Sequence, residues 1–350
     1  MATFIYKDIV NIIYIQLKWL ALPICYALAF ILVSYWGIDF QESIKYQVLY
    51  LPIVTIDFIV AFIIGYKFNQ AVVAKYILIA GALSIFYLLI DAYLHPSLPR
   101  IGVLDLDVAM IVPLATISGA TTLAFAAIFT LLASTKKTIT VAAIFSLGAA
   151  FLFKARNSRG HRNAALERRN SVASIWIRRI VGVIAIFFVM ALFAEKIQTT
   201  YKRLSDPQGD EDPSRTAIST LSFELLSENF PAGIGLGGFS SISQELINYR
   251  ILDARGEIVY GANLHSSYMT WALEGGLPIV VIVLSLCFFT FRAIRHLLKD
   301  EKSRVLGEVM LIWLFQGMLY GLFQQWHNSA PFWMLFGLVF GCYERSKRVK

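Results

Sequence analysis

The stretch GLPIVVIVLSLCFFTF, Gly276–Phe291, contains no charged side chain. Apolar runs of this kind recur along the chain, and an apolar helix needs about 20 residues to cross the hydrocarbon core of a bilayer. The composition agrees, because 57% of the 350 residues are hydrophobic and 15% are charged, whereas a soluble domain carries about 25% charge. The mean hydropathy is +0.64. These values exclude a soluble globular enzyme and predict a polytopic membrane protein.

Other apolar runs predict further spans. The segment Asp107–Ala133 is long for one crossing and short for two, but the orientation of the flanking loops requires a turn near Thr116–Ala120. The result is an all-α protein of about ten spans, in a range of roughly 8 to 12, with both termini inside. The other predicted spans are Trp19–Trp36, Val48–Tyr66, Tyr76–Leu94, Thr138–Phe153, Ile180–Phe193, Val305–Phe323 and Pro331–Tyr343.

The distribution of charge sets the orientation. The formal net charge is +8, but the segment 154–179 alone holds eight basic residues and one acidic residue. Segments 292–304 and 344–350 are also basic, whereas the polar stretch 195–264 holds six basic and ten acidic residues. Basic loops face the cytoplasm in membrane proteins. The net charge is therefore mainly an orientation signal, and it places 195–264 on the outer face.

Three regions follow from this pattern. Residues 1–194 form N-terminal transmembrane helices with a basic cytoplasmic loop at 154–179, whose default partner is anionic lipid headgroups. Residues 195–275 form a long outer loop, and 276–350 form the C-terminal transmembrane helices and a basic cytoplasmic tail. Since long loops are usually functional or separately folded, we expect the chemistry in the outer loop.

The outer loop contains a predicted helix and a glycine-rich turn. Asp212-Pro213-Ser214 is typical of a helix start, and Pro231 ends the helix because proline disfavours helical geometry in the residue before it. The following Gly233, Gly235 and Gly238 fit G-x-G-x-x-G, but no strand precedes them and the match alone is weak. A tight turn is the favoured interpretation. The helix carries an apolar stripe of Ile218, Leu221, Leu225 and Leu226.

The end of this loop reads NLHSSYMTWALEGGLP, from Asn263 to Pro278. A histidine at a loop-to-span junction, then serine and tyrosine, then Glu-Gly-Gly-Leu-Pro, resembles the signature of the O-antigen ligase and polymerase superfamily. Upstream, Arg215 followed by SENFP and GIGLGGF is similar to the pattern of that family in the same loop. The resemblance covers about 65 residues, from Arg215 to Ile279.

The resemblance implies a polytopic glycosyltransferase similar to the C-type fold, in the bacterial inner membrane with its site facing the periplasm. In the ligase branch, undecaprenyl-diphosphate-linked O-polysaccharide is moved to a hydroxyl of the lipid A-core. The reaction inverts the anomeric centre and uses no metal, nucleotide sugar or other cofactor. By the same resemblance, His265 is the base for the acceptor hydroxyl and Arg215 holds the diphosphate.

These roles also make chemical sense. Imidazole is a competent base near neutral pH, and a guanidinium fork matches phosphate oxygens in geometry and charge. Two simpler interpretations stay open. If His265 has no catalytic role, it is a side chain at the membrane interface, and if Arg215 does not bind diphosphate, it is a surface charge on a helix.

Four further residues are candidates for binding the diphosphate or the acceptor. The family usually has an arginine after serine at the outer mouth of an earlier span, where this chain has Lys136 and Lys137. These two are alternatively cytoplasmic anchors, in which case the hairpin formed by the predicted turn near Thr116–Ala120 is wrong. Tyr268 belongs to the histidine motif, and His327 lies in another outer loop, where an interfacial Trp-His cap is the alternative.

Three functions remain open at this point. An O-antigen ligase is the leading hypothesis, and a polysaccharide polymerase that uses the same donor is the nearest alternative. A transporter of lipid-linked glycan is the third. Transporters place charged residues along a path within the spans, whereas the candidate chemistry here collects in one outer loop.

Overall fold

A computed structural model describes most of the chain. The described residues are 2–94, 105–133, 137–160, 198, 213–245, 264, 266–322, 324 and 329–348. All regular structure in these residues is helical, as the sequence predicts, and this fits a helical membrane protein. The predicted span Ile180–Phe193 lies outside the described residues.

The helices follow the predicted apolar runs closely. In chain order they are α1 (Ala2–Tyr35), α2 (Phe40–Lys67), α3 (Gln70–Leu94), α4 (Asp105–Ile117), α5 (Thr121–Ala133), α6 (Lys137–Gly160), α7 (Pro213–Asn229), α8 (Gly238–Glu245), α9 (Ser267–Met269), a π-helical turn (Thr270–Glu274), α10 (Gly276–Leu297), α11 (Arg304–Gly321) and α12 (Ala330–Arg348).

The chain divides into two compact units. The first comprises Met1–Asn69, Glu211–Leu297 and Tyr320–Lys350, and the second comprises Gln70–Asp210 and Leu298–Leu319. The first unit therefore combines the two N-terminal helices with the outer-loop residues and the last helix. The division into three regions along the sequence stays a prediction.

The first unit is built on close contact between α2 and α12. A Cβ added to Gly337 would overlap the main-chain oxygen of Phe58, and one added to Gly341 would overlap that of Phe62. A Cβ built on Gly65 of α2 would lie 2.6 Å from the Leu338 carbonyl oxygen, also closer than a real contact allows. Small residues at helix interfaces let two backbones approach, which is a common way for membrane helices to associate.

One end of the first unit gathers segments that the charge pattern assigns to the cytoplasm. Trp19 of α1 stacks on Phe340 with ring centroids 4.1 Å apart, and its Nε1 donates to Glu344 at 3.1 Å. Arg345 donates from Nη1 to the Lys67 carbonyl at 2.9 Å. The middle of α1 and the C-terminal ends of α2 and α12 therefore meet, and the predicted orientation places all three on the cytoplasmic side.

The second unit contains the predicted hairpin. Helices α4 and α5 have 13 residues each, about 20 Å by the rise of an α-helix, and residues 118–120 connect them. Gly119 in this connection has φ +86°, in the left-handed region that favours glycine. The turn predicted near Thr116–Ala120 is confirmed.

Some helices are long and apolar enough to cross a membrane. Three of the described helices meet that requirement by length and composition, at Lys18–Tyr35, Gln70–Asp91 and Gly276–Leu297. Shorter apolar helices occur at Val108–Ile117, Thr122–Leu131 and Ile139–Lys154. The count of about ten spans, with its orientation, stays a prediction.

Candidate active site

Helix α7 begins and ends where the sequence predicts, at Pro213 and Asn229. Its apolar stripe packs against one hydrophobic cluster in the first unit. The same cluster includes Leu264, which directly precedes His265. The buried members of this outer-loop cluster are Ile218, Leu221, Ile234, Phe239, Ile242, Leu264 and Leu273, with Leu225, Leu226 and Met269 partly buried against them.

The outer-loop cluster brings two predicted site segments together. Ile218 lies three residues after Arg215 in α7, and Leu264 lies one residue before His265. Arg215 is in the first turn of α7, but its side chain lies outside the described part of the structure, as does the whole of His265. The chain segments that carry the two residues thus pack on one cluster.

The residues 231–238, called the Gly-rich turn below, connect α7 to α8. Gly233, Gly235 and Gly237 all have positive φ, between +77° and +89°. At Gly235 the turn also fits tightly, since an added Cβ would lie 3.1 Å from Ser43 Oγ and 3.2 Å from Ser34 Cα. The glycines therefore let this turn press against the junction of α1 and α2.

Whether the Gly-rich turn can bind a phosphate depends on whether its backbone N–H groups are free. A phosphate-binding loop presents free N–H groups to its ligand, whereas every N–H from Gly233 to Phe239 is engaged within the protein. The interpretation as a tight turn is confirmed. Gly233, Ile234 and Gly235 donate to the carbonyls of Asn229, Leu273 and Glu274, and Leu236 donates to the hydroxyl of Ser34. Gly237 and Phe239 donate to the Glu274 carboxyl group, and Gly238 donates to the carbonyl of Gly235.

The junction of α1 and α2 holds the other side of the Gly-rich turn. Ser43 Oγ donates to the Leu236 carbonyl at 2.6 Å, and the Ile38 N–H donates to the Ile234 carbonyl at 3.0 Å. Ser34 Oγ also accepts from Gln47 Nε2 at 3.2 Å. Sequence reasoning missed these residues, because single serines near span ends carry no signal of a partner about 200 positions away.

The residues 264–276, called the His-bearing segment below, are fixed directly after His265. Ser266 caps α9 by accepting from the Met269 N–H at 3.4 Å, and its hydroxyl donates to the Gly321 carbonyl at 3.3 Å. The N–H and hydroxyl of Ser267 both donate to the Gln324 carbonyl, at 3.2 and 3.1 Å. The π-helical turn that follows is a feature often found at functional sites.

An aromatic group lies one turn after His265. Tyr268 is half-buried and meets Trp271 edge to face at 5.3 Å, and Trp271 Nε1 donates to Tyr26 Oη at 3.3 Å. Burial raises the pKa of Tyr268, and the Cys287 thiol adds a smaller upward contribution. The phenol is therefore protonated near neutral pH and available as a hydrogen-bond donor.

Glu274 is a buried acid that the sequence did not single out. Its Oε1 accepts from the Phe239 N–H at 3.3 Å, and its carboxyl group also accepts from the Gly237 N–H. Burial raises the pKa of Glu274 from 4.5 to about 7, while the two N–H groups act in the opposite direction. The carboxyl group thus lies at the first turn of α8, a position that favours negative charge.

The remaining predicted residues belong elsewhere in the described structure or outside it. Lys137 is the first residue of α6 in the second unit, with its side chain outside the described part. Lys136 and His327 also lie outside it, although Gln324, close before His327, is bonded to Ser267. In the part of the chain that is described, no group of three His, Cys, Asp or Glu side chains is arranged to hold a metal.

Comparison with known proteins adds one finding. Residues 122–284 match the model of a protein family described as O-antigen ligase. The matched segment includes α7, the Gly-rich turn and the His-bearing segment. No curated protein and no solved structure matches the chain. This match, over a little under half of the chain, confirms its resemblance to the O-antigen ligase superfamily.

Proposed function

We propose that this chain is an O-antigen ligase of the bacterial inner membrane. It transfers O-polysaccharide from undecaprenyl diphosphate to a hydroxyl of the lipid A-core on the periplasmic face, with inversion and without a metal. The family match implies a glycosyl-transfer enzyme with a role in lipopolysaccharide synthesis, as ligase or polymerase. The choice of the ligase rests on the modest size of the outer loop 195–275, which we take as the periplasmic catalytic loop.

One observation supports the assignment of the site most directly. Ile218 and Leu264 are buried at 5% and 3% exposure in the same outer-loop cluster. Arg215 lies one helical turn before Ile218, and the covalent chain keeps His265 adjacent to Leu264. The chain segments that carry the proposed cation for the diphosphate and the proposed base for the acceptor thus share one buried cluster.

Arg215 suits the diphosphate for two reasons. The N–H groups of the Gly-rich turn are all engaged, so this turn does not supply donors for the phosphate oxygens. Arg215 lies in the first turn of α7, and this first turn contains no acidic residue. The N-terminus of a helix favours anions. Its fork can hold two phosphate oxygens at once.

His265 suits the acceptor. The imidazole takes the proton from the acceptor hydroxyl while the oxygen forms a bond to the anomeric carbon. The bond from that carbon to the phosphate oxygen breaks at the same time, and undecaprenyl diphosphate leaves with the electron pair. The attack comes from the face opposite the leaving group, so the anomeric configuration inverts. A single displacement with a good leaving group requires no pair of carboxylates.

Four further residues are proposed to bind the diphosphate, the glycan or the acceptor. Lys136 and Lys137 lie within the matched segment and supply positive charge for the diphosphate as point charges. Tyr268 is protonated and follows His265 on the His-bearing segment, so it can donate to an oxygen of the glycan or acceptor. His327 lies in the loop that begins at Gln324, which Ser267 contacts.

The test uses a strain that lacks the gene and is complemented with wild type, His265→Ala or Arg215→Ala. Lipopolysaccharide is resolved on a gel, and undecaprenyl-linked glycan is extracted and measured. We expect bare lipid A-core from both variants, together with accumulated lipid-linked polymer. Matched controls are His161→Ala and Arg292→Ala, which change the same residue types in segments predicted to be cytoplasmic.

The outcomes separate the candidate functions. Core bearing a single repeat unit would identify the polymerase instead of the ligase. Ladders of full length from both variants, at protein levels equal to wild type, would overturn the assignment of the site. Loss of lipid-linked glycan from the outer leaflet would favour a transporter.

A further inference from the structure

Glu274 has no role in the proposed chemistry, although it is nearly fully buried, with 5% exposure. A buried carboxyl group is costly unless hydrogen bonds compensate it. Two backbone N–H groups do so here, from Gly237 and Phe239. Both belong to the connection from α7 into α8, whereas Glu274 ends the π-helical turn of the His-bearing segment.

Main-chain bonds join the same two segments. The Ile234 N–H donates to the Leu273 carbonyl at 2.9 Å, and the Gly235 N–H donates to the Glu274 carbonyl at 3.0 Å. The side chain of Glu274 extends this contact to Gly237 and Phe239. The Gly-rich turn and the His-bearing segment are therefore aligned over residues 234–239 by four hydrogen bonds, two of which depend on one side chain.

His265 lies near the other end of the His-bearing segment, directly before Ser266 in the chain. From Ser267 to Glu274 the chain is continuously helical, first as α9 and then as the π-helical turn, and Ser266 caps its start. Glu274 and the residue that precedes Ser266 are therefore linked through one short helical segment with hydrogen bonds at both of its ends. The fixed points are Gln324 and Gly321 at the start and the Gly-rich turn at the finish.

We infer that Glu274 is a positioning residue for glycosyl transfer: its carboxyl group aligns the His-bearing segment on the Gly-rich turn and so places His265 for the acceptor hydroxyl. The inference rests on the proposed role of His265. Glu274 does not touch substrate, because its carboxyl group is buried and occupied by protein donors. A carboxyl or amide oxygen is required, since an apolar side chain leaves two buried N–H groups without an acceptor.

Three variants test the inference on the full chain in nanodiscs, with lipid-linked glycan as donor and lipid A-core as acceptor. Glu274→Ala should lower kcat by about tenfold or more, while the KM for donor stays within about twofold, because the donor is held elsewhere. Glu274→Gln should keep at least about a third of kcat, since the side chain keeps its length and its amide oxygen can still accept from the Phe239 N–H.

Ser43→Ala is the matched control. It removes another buried hydrogen bond to the Gly-rich turn, at Leu236, but from α2 and not from the His-bearing segment. We expect it to lower the melting temperature without the loss of kcat seen in Glu274→Ala. If both variants lose kcat in proportion to melting temperature, Glu274 is structural only and the inference is wrong.

Two further comparisons keep the test decisive. If Glu274→Ala does not fold, Glu274→Asp replaces it, because a carboxylate shorter by one methylene keeps the charge and loses the reach; wild-type kcat in the Asp variant overturns the inference. His265→Ala is assayed in parallel. An active His265→Ala overturns the proposed function, whereas an inactive His265→Ala with a fully active Glu274→Ala overturns only the positioning role.

Discussion

Lys154 donates from Nζ to the main-chain carbonyl of Thr116 at 3.1 Å and joins α6 to the last turn of α4 within the second unit. A cation at the last carbonyls of a helix is favourable. The predicted orientation places both residues on the cytoplasmic side. The contact therefore agrees with a hairpin that enters and leaves by the same face.

This contact leads to a prediction about topology. In a chain whose Cys25, Cys287 and Cys342 are replaced by serine, a cysteine at Ser118 should react with a membrane-impermeant maleimide only from the cytoplasmic side. A cysteine at Asn157 should behave in the same way, because the charge pattern assigns both to one face. Labelling of intact cells and of inverted vesicles is compared by gel shift. Reaction of the two sites from opposite sides would rule out the hairpin.

A second prediction concerns the contact of α2 with α12. Gly337→Ala should destabilise the protein by about 1–3 kcal/mol, because the new methyl group would overlap the Phe58 carbonyl and force the backbones apart. Gly148→Ala is the matched control, since nothing lies within 4 Å of a Cβ built there. Thermal unfolding in detergent measures both. Equal melting temperatures for the two variants would contradict the close contact between α2 and α12.

A third prediction compares two glycines with nearly the same φ. Gly235 has φ +89° and tight surroundings, whereas Gly119 has φ +86° and open space. An alanine costs about 1–2 kcal/mol in the left-handed region at either site, but only at Gly235 does it also displace the Gly-rich turn from Ser34 and Ser43. We expect Gly235→Ala to reduce attachment of O-polysaccharide on lipopolysaccharide gels and Gly119→Ala to keep it, because a shift of Gly235 also strains the hydrogen bond from its N–H to the Glu274 carbonyl, a bond that Ser43→Ala leaves in place.

A fourth prediction concerns pH. The pKa of Glu274 rises from 4.5 in the unfolded chain to about 7 in the folded protein, so folding favours the protonated form. The stability that this group confers is present below about pH 4.5 and is lost as the pH rises through about 7, by up to about 3 kcal/mol. Melting temperatures measured across this window should fall with pH.

The Gln variant supplies the comparison for the pH prediction. Glu274→Gln does not titrate, and its melting temperature should depend less on pH than that of wild type. Glu224→Gln, on the exposed face of α7, makes the same change in charge and should follow wild type. An identical slope in all three proteins would mean that Glu274 keeps an ordinary pKa in the folded state.

Local signals in the sequence were sufficient for several elements. Asp212-Pro213-Ser214 and Pro231 mark the bounds of α7 within one or two residues, and the stripe from Ile218 to Leu226 is the face that packs. The odd number of crossings required by the charged loops located the turn at residues 118–120. Each of these rests on neighbours in the chain, where propensity and periodicity act directly.

Distant contacts were beyond such reasoning. Glu274 was read only as part of Glu-Gly-Gly-Leu-Pro, because nothing in the sequence states that its carboxyl group meets backbone donors 35 residues earlier. Trp19 and Phe340 are still farther apart along the chain, yet their rings stack. These contacts follow from the way in which whole helices pack, and a single sequence carries no record of that packing.

The contacts of the Gly-rich turn indicate whether the proposed catalytic loop can be separated from the rest of the chain. The O-antigen ligase family model covers residues 122–284, yet Ser34, Ile38 and Ser43 supply hydrogen bonds that hold the turn from outside that segment. Excision of the matched segment, or its grafting into another membrane protein, would remove the surface against which the turn is built. The structural unit that supports this turn is accordingly larger than the matched segment, and a graft of the site has to include α1 and α2.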